Sequence, residues 1–322
     1  MKHTHWVALC AVAISQFSFA QPADNFPAKS IRVIVPLAAG GPSDTMARIL
    51  AAKLTEVIGQ TVIVDNRPGA SGIVGTEMLV RSPPDGYTMA LVSNTISLNP
   101  AVFKKLPYDT ERDVQPISLL AATPYLFSVH PSLPVRNVKE LIALAKARPG
   151  ELNHGSAGAG TGPHLAMEVF AYRAGIKVVQ IIYKGGGPAL NDFIGGHTQL
   201  FMSNMVTTLP QHRAGRIRGI AISKPQRSKA APDVPTIHET GMTDFDEGGQ
   251  HGLVGPAGIP KPVLDKLYTS IAASMRSPEV VRRLSDDGSD AVANTPDEYR
   301  ALIRRELAKW TKVVQVAGIP RQ

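Results

Sequence analysis

The stretch IRVIVPLAAGGPSDTMAR, residues 31–48, passes from a strand pattern to a helix pattern within a few residues. Ile31 to Leu37 is an apolar, β-branched run, as in a strand buried on both faces. Met46, Ile49, Leu50, Leu54 and Ile58 then recur at helical spacing. Ser43 or Asp44 is expected as the N-cap of that helix, so the stretch reads as a β–α unit. TVIVD at 61–65, a helix from about Gly72 to Val80 and YTMALVS at 87–93 continue the alternation, which predicts a parallel sheet covered by helices.

A second series follows. PYLFSVH at 124–130, a helix at 138–147, ELNHG at 151–155, a helix at 161–174, VVQII at 178–182, a helix at 188–194, QLFMS at 199–203 and IRGIAIS at 217–223 make another α/β set. The fold class is therefore α/β with two domains. Residues 21–122 begin the first, 123–223 form the second, and 224–322 return to the first. The extended apolar segments ISLLAATPYLFSVH at 117–130 and IRGIAIS read as two chain crossings. They predict a hinge near Ala121–Tyr125 and Ala221–Lys224.

Composition bounds the function. With 43% apolar and 19% charged residues in 322, the chain is too apolar for disorder. Beyond residue 20 no apolar run approaches the roughly 18 residues needed to span a bilayer. Residues 1–20 carry a basic head (Lys2, His3, His5), an apolar core (Trp6 to Ile14) and small Ser18 and Ala20. They read as a secretory signal cleaved after Ala20, so that the mature chain starts at Gln21 in the periplasm. Cys10, the sole cysteine, would leave with it, and neither a disulfide nor a thiol nucleophile would remain. The whole chain has 34 basic against 26 acidic residues, net +8, and loses one positive charge with Lys2. Arg300, Arg304, Arg305, Lys309 and Lys312 alternate with Glu298 and Glu306 on a C-terminal helix, a solvated face rather than a nucleic-acid stripe. An anionic solute suits this charge better.

Four glycine-rich loops carry the chemistry: 38–44 (AAGGPSD), 67–72 (RPGASG), 153–164 (NHGSAGAGTGPH) and 184–188 (KGGGP). Glycine lets main-chain N–H groups approach a ligand, and a following helix N-terminus is electropositive, so each loop is a potential anion cradle. One such loop alone reads as a tight turn. Four of them point to a ligand cleft between domains. The nucleotide motifs fail, since the 155–161 loop has no lysine before Thr161 and the 158–162 glycines lack the third member of the dinucleotide fingerprint. No histidine pair has metal-ligand spacing, and no cofactor is expected. A triad of Ser156, His164 and Asp192 remains as a hydrolase-like alternative, although no G-x-S-x-G elbow surrounds any serine. Asn94 and Asn204, each after a strand, are either cleft residues or turn residues.

The ordered segments FPAKSIRVIVPLAAGGPSDTMAR, GQTVIVDNRPGASGIVGTEMLVRSPPDGYTMAL, GSAGAGTGPHLAMEVF, YKGGGPALNDFIGG, DVPTIHETG, VGPAGIPKPVLDKL and NTPDEY resemble the Bug family, the periplasmic solute receptors of tripartite tricarboxylate transporters. The resemblance covers essentially the whole mature chain. It implies a two-domain, type II periplasmic-binding-protein fold that closes on a small organic carboxylate, with membrane transporter subunits or a sensor as partner. It implies a non-catalytic, metal-free monomer. By that likeness Ala39, Gly40, Gly41, Ser43 and Asp44 hold one side of the ligand. Ser156, Ala157, Gly160 and Thr161 grip its carboxylate through main-chain N–H groups, hydroxyls and waters, with His164 and Lys184 in support; Ser71 of the 67–72 loop is a further ligand-binding candidate. Two departures bear on specificity: Leu37 stands before AAGG where many relatives carry Phe, and Gln250-His251 stand where an aromatic is usual. They imply a roomier or more polar distal pocket. A sensor or scavenger without a transporter is the rival receptor reading.

Overall fold

The structure, a computed structural model, describes residues 25–243, 245–316 and 321. The signal reading at residues 1–20 lies outside them. The chain runs β1 (Ile31–Val35), α1 (Pro42–Ile58), β2 (Val62–Asn66), α2 (Ile73–Val80), β3 (Thr88–Val92), α3 (Thr95–Val102), α4 (Thr110–Asp113) and β4 (Val114–Val129). It continues with α5 (Val138–Ala147), β5 (Asn153–Ser156), α6 (Gly162–Ala174), β6 (Val179–Ile182), α7 (Gly186–Ile194), β7 (Leu200–Asn204), α8 (Met205–Arg213) and β8 (Arg218–Ile222). The last elements are β9 (Gly248–Pro256), α9 (Lys261–Met275), α10 (Pro278–Asp286), β10 (Asp290–Ala291) and α11 (Pro296–Val316).

Strand β4, 16 residues long, belongs to both halves. Its N-terminal part pairs with β9 and β10 beside β3, β1 and β2, while Tyr125–Val129 pairs with β7 and β8, and β7 leads on to β5 and β6. Pairing is parallel for β1 with β2 and β3 and for β5 with β6 and β7, but β4, β8 and β9 run antiparallel to their neighbours. The sheets are thus mixed, not parallel as expected. A strand buried on both faces is equally apolar in either direction, so its composition cannot set its polarity.

Each half has its own core. Met46, Leu50 and Leu54 of α1 pack on Ile31, Val33 and Val35 and on Leu267 and Ile271 of α9. In the second half Phe127, Phe170, Met167 and Leu141 share a cluster, with Phe127 edge-on to Phe170 at 4.9 Å between ring centres. The return of the chain comes later than residue 224. Ala231 and Val234 are still buried beside Leu126 and Ile222, and Ile237 and Phe245 lie in the cluster of Phe127. The crossing back is made by β9, whose Gly248 pairs with Pro124 and whose Pro256 pairs with Val114.

Ser223 clasps the crossings together. Its Oγ accepts from Tyr125 N–H at 2.8 Å and donates to the Glu247 carbonyl at 2.6 Å. Its own N–H donates to the Tyr125 carbonyl, and Glu247 N–H donates to the Ser223 carbonyl, both at 3.0 Å. Helix α11 is amphipathic as its spacing predicts: Tyr299, Ile303, Trp310 and Val314 are buried, while Arg304, Arg305, Lys309 and Lys312 are exposed. Trp310 and Val314 pack on Leu98, Ala101 and Val102 of α3 and on Leu165 of α6, so this helix touches both halves.

Candidate functional site

Parallel strand–helix units put helix N-termini beyond the carboxyl ends of their strands, which is where clefts in such folds bind ligands. Here five helices begin around one cavity of ≈ 30 Å³. Gly41, Pro42 and Ser43 bring the start of α1, Asn94 that of α3, Thr161, Gly162 and Pro163 that of α6, Gly186 that of α7, and Asn204 that of α8. The first N–H groups of a helix have no intrahelical acceptor, and each terminus carries about half a positive charge. Leu37, Ala38, Ser93, Tyr125, Ala157, Ser203 and His251 complete the wall, with no Lys, Arg, Asp or Glu among the lining residues. The cavity is therefore electropositive without holding a formal cation.

Of the residues singled out in the sequence, Gly41, Ser43, Asn94, Ala157, Thr161 and Asn204 line this cavity. Ala39, Gly40, Asp44, Ser71, Ser156, Gly160, His164 and Lys184 are not among its lining residues. The N-cap of α1 is Gly41, not Ser43 or Asp44; with Pro42 in the first turn, those two fall inside the helix. Asp44 accepts from Gly40 N–H and from Arg48 Nε, both at 3.0 Å. Burial pushes its carboxyl up, but the bonds from Arg48 and Gly40 outweigh this and hold it below its ordinary value. Asp44 thus ties the loop to its helix.

The 155–164 loop is held by one carbonyl. Gly158 O accepts from Ser156 Oγ at 3.2 Å, from Thr161 Oγ1 at 2.7 Å and from Thr161 N–H at 3.2 Å. The Thr161 proton expected to meet a ligand is committed here, which leaves its oxygen lone pairs and the N–H groups behind it. Gly160 N–H donates to His164 Nδ1 at 3.2 Å, and burial lowers the His164 pKa to about 4, so the imidazole is a neutral acceptor. The triad residues are bonded apart: Ser156 to Gly158 O, His164 to Gly160 N–H, and Asp192 to the Tyr183 hydroxyl at 2.6 Å.

The loops of the two halves touch. A Cβ on Gly41 would stand 3.1 Å from Gly187 N, and one on Gly187 would stand 2.2 Å from Ala39 O. Ala38 N–H donates to the Lys184 carbonyl at 3.3 Å, while the Lys184 side chain is exposed. Ser71 Oγ lies 3.0 Å from where a Cβ on Gly158 would be. The cleft is closed.

Asn94 secures β9: its Nδ2 donates to the Gly248 carbonyl at 3.0 Å and its Oδ1 accepts from Gln250 N–H at 2.7 Å. The next residue is His251, fully buried, with both ring nitrogens unpartnered and a pKa lowered to about 4 by burial. Tyr125, Ser93 and Ser203 were not picked out in the sequence. The two serines directly precede Asn94 and Asn204, and that shared position was the available signal. A wider groove of ≈ 550 Å³ lies behind the crossings, lined by Lys224, Arg227, Lys229, Asp246 and Ser289 among others. None of the described helices starts there, and Lys224 and Arg227 are paired with Asp246 and Glu239.

The family model described as "Tripartite tricarboxylate transporter family receptor" matches residues 46–319. The chain belongs to that receptor family. BugT of Bordetella pertussis is 34% identical over 322 residues, covering 99% of each chain. The structure of the periplasmic binding protein BugD superposes with a TM-score of 0.90 at 32% identity, covering 92% of this chain and 100% of that one. A protein of R. palustris solved with adipate gives a TM-score of 0.89 at 32% identity, covering 92% and 99%. The two-lobed periplasmic-binding-protein fold expected from the sequence is thus the fold of this receptor. Of the residues expected to bear on specificity, Leu37 and His251 line the cleft, and Gln250 is not among its lining residues.

Proposed function

We propose that this receptor captures a small organic carboxylate between its lobes in the periplasm and delivers it to a tripartite tricarboxylate transporter, without chemistry on the ligand. The observation that carries the reading is the convergence of five helix N-termini on a closed cavity with no Lys, Arg, Asp or Glu among the described residues of its wall. Such a site stabilises an anion by N–H dipoles and has no basic side chain to confer specificity of its own. The adipate held by the R. palustris relative supports the ligand class. The separate bonding of Ser156, His164 and Asp192 supports a binding rather than a hydrolytic role.

In this reading residues 21–122 and the chain from β9 onward form one lobe, and the segment between them forms the other. Export would leave a mature chain beginning at Gln21, and an intact mass of periplasmic protein that still included residues 1–20 would overturn that point. The function is tested by thermal shift of the mature protein against short organic acids and their neutral amides. Stabilisation is expected from acids and not from the matched amides; stabilisation by both alike would remove the anion site.

A further inference from the structure

The carboxylate reading leaves the rest of the ligand open, and this inference rests on that reading. The wall of the cavity contains His251, fully buried and bonded through neither ring nitrogen. A buried imidazole left unpaired carries an unfavourable desolvation cost, so its partner is to be sought in whatever enters the cavity. Neutral imidazole presents one N–H donor and one lone-pair acceptor. The two nitrogens point away from each other, so one ligand group meets one of them; a hydroxyl or a primary carboxamide, able both to donate and to accept, can meet either.

We infer that His251 selects short carboxylates whose far end bears an uncharged group able both to donate and to accept a hydrogen bond, in preference to dicarboxylates and to plain alkyl acids. A second carboxylate offers acceptors only. It would place a second negative charge against a neutral ring, with no Lys or Arg side chain among the described lining residues to offset it. Burial holds the imidazole neutral near pH 7, so help from a protonated ring would require drawing a proton onto it. An alkyl end would leave both nitrogens unpaired. The position is set by the main chain: Asn94 grips Gly248 O and Gln250 N–H, and His251 pairs with Ala121 across β4. The ring therefore reads the ligand from a fixed strand rather than from a mobile loop.

Calorimetric titration of the mature protein with four matched acids tests this: succinamate, 4-hydroxybutyrate, succinate and butyrate. The wild-type receptor is expected to bind succinamate or 4-hydroxybutyrate at least about tenfold more tightly than succinate and butyrate. His251→Leu is expected to shrink the preference over butyrate to under about threefold, and His251→Gln, which keeps a donor and an acceptor, to retain it. Succinate or butyrate binding as well as the neutral-ended acids in the wild type would overturn the inference even if His251→Leu failed to fold. So would a preference that survives in folded His251→Leu. Binding of none of the four, butyrate included, would instead remove the short-carboxylate reading on which the inference stands.

Discussion

Gly41 and Gly187 face each other across the cleft so closely that a Cβ on Gly41 would stand 3.1 Å from the Gly187 nitrogen. Gly41 caps α1 on one lobe and Gly187 lies in the first turn of α7 on the other. Gly41 and Gly186, the neighbour of Gly187, both line the cavity, so this contact is part of its wall. Closure brings N–H donors of both lobes to one anion, and only a ligand with higher affinity for the closed state can shift the population toward it.

Gly187→Ala is expected to keep the fold and weaken binding. A Cβ there would meet Ala39 O at 2.2 Å in the closed state, although within α7 alanine is the better helix former. Circular dichroism should be unchanged, and calorimetry should show a loss of tenfold or more. Gly41→Ala, whose Cβ meets its neighbours at 3.1 Å and beyond, should cost less. Full affinity in Gly187→Ala would mean that these loops do not govern closure.

Thr161→Ala should weaken binding through the loop. The hydroxyl proton goes to Gly158 O at 2.7 Å, so what is lost is one internal hydrogen bond, worth about 1 kcal/mol, and affinity should fall about fivefold. A hundredfold loss in calorimetry would show instead that the hydroxyl bonds the ligand directly.

Stability should fall as pH drops from about 6.5 toward 4. Burial lowers His154, His164 and His251 to about 4 in the folded protein, against about 6.5 in an unfolded chain. Between those values the unfolded state binds more protons, so the stabilisation is complete above about pH 6.5 and is lost progressively below it. Thermal melts at stepped pH should show this slope, and His251→Gln should lessen it. A melting temperature flat from pH 7 to 4.5 would contradict the burial of these rings as neutral groups.

Ligand should reduce the radius of gyration and change tryptophan emission. Of the two tryptophans, Trp6 falls within residues 1–20, so in a mature chain beginning at Gln21 Trp310 alone would report, and it sits between α3 of one lobe and α6 of the other. Unchanged scattering and emission with binding confirmed would indicate a rigid, preclosed receptor.

The β–α units were legible because Ile31 to Leu37 and the Met46, Leu50, Leu54 series differ in period. Helices α3 and α8 were not, since each has a proline inside, Pro100 and Pro210, and a weak apolar pattern. Their N-termini are two of the five at the cavity, so Asn94 and Asn204 stood out as residues while the dipoles behind them did not. Ser43 and Asp44 looked like caps because their side chains favour that place; Pro42 in the first turn goes with a cap at Gly41, two or three residues earlier. The commitment of Asn94 to β9 joins positions 94 and 250, which no local pattern relates.

The crystal structure of the mature receptor with the tightest-binding acid of the succinamate series tests the helix-terminus site most directly. The expected result is a carboxylate about 2.7–3.2 Å from main-chain N–H groups at the starts of α1 and α6, or joined to them through one water, with its other end against His251. A ligand seated in the groove behind the crossings, its carboxylate paired with Lys224 or Lys229, would contradict it.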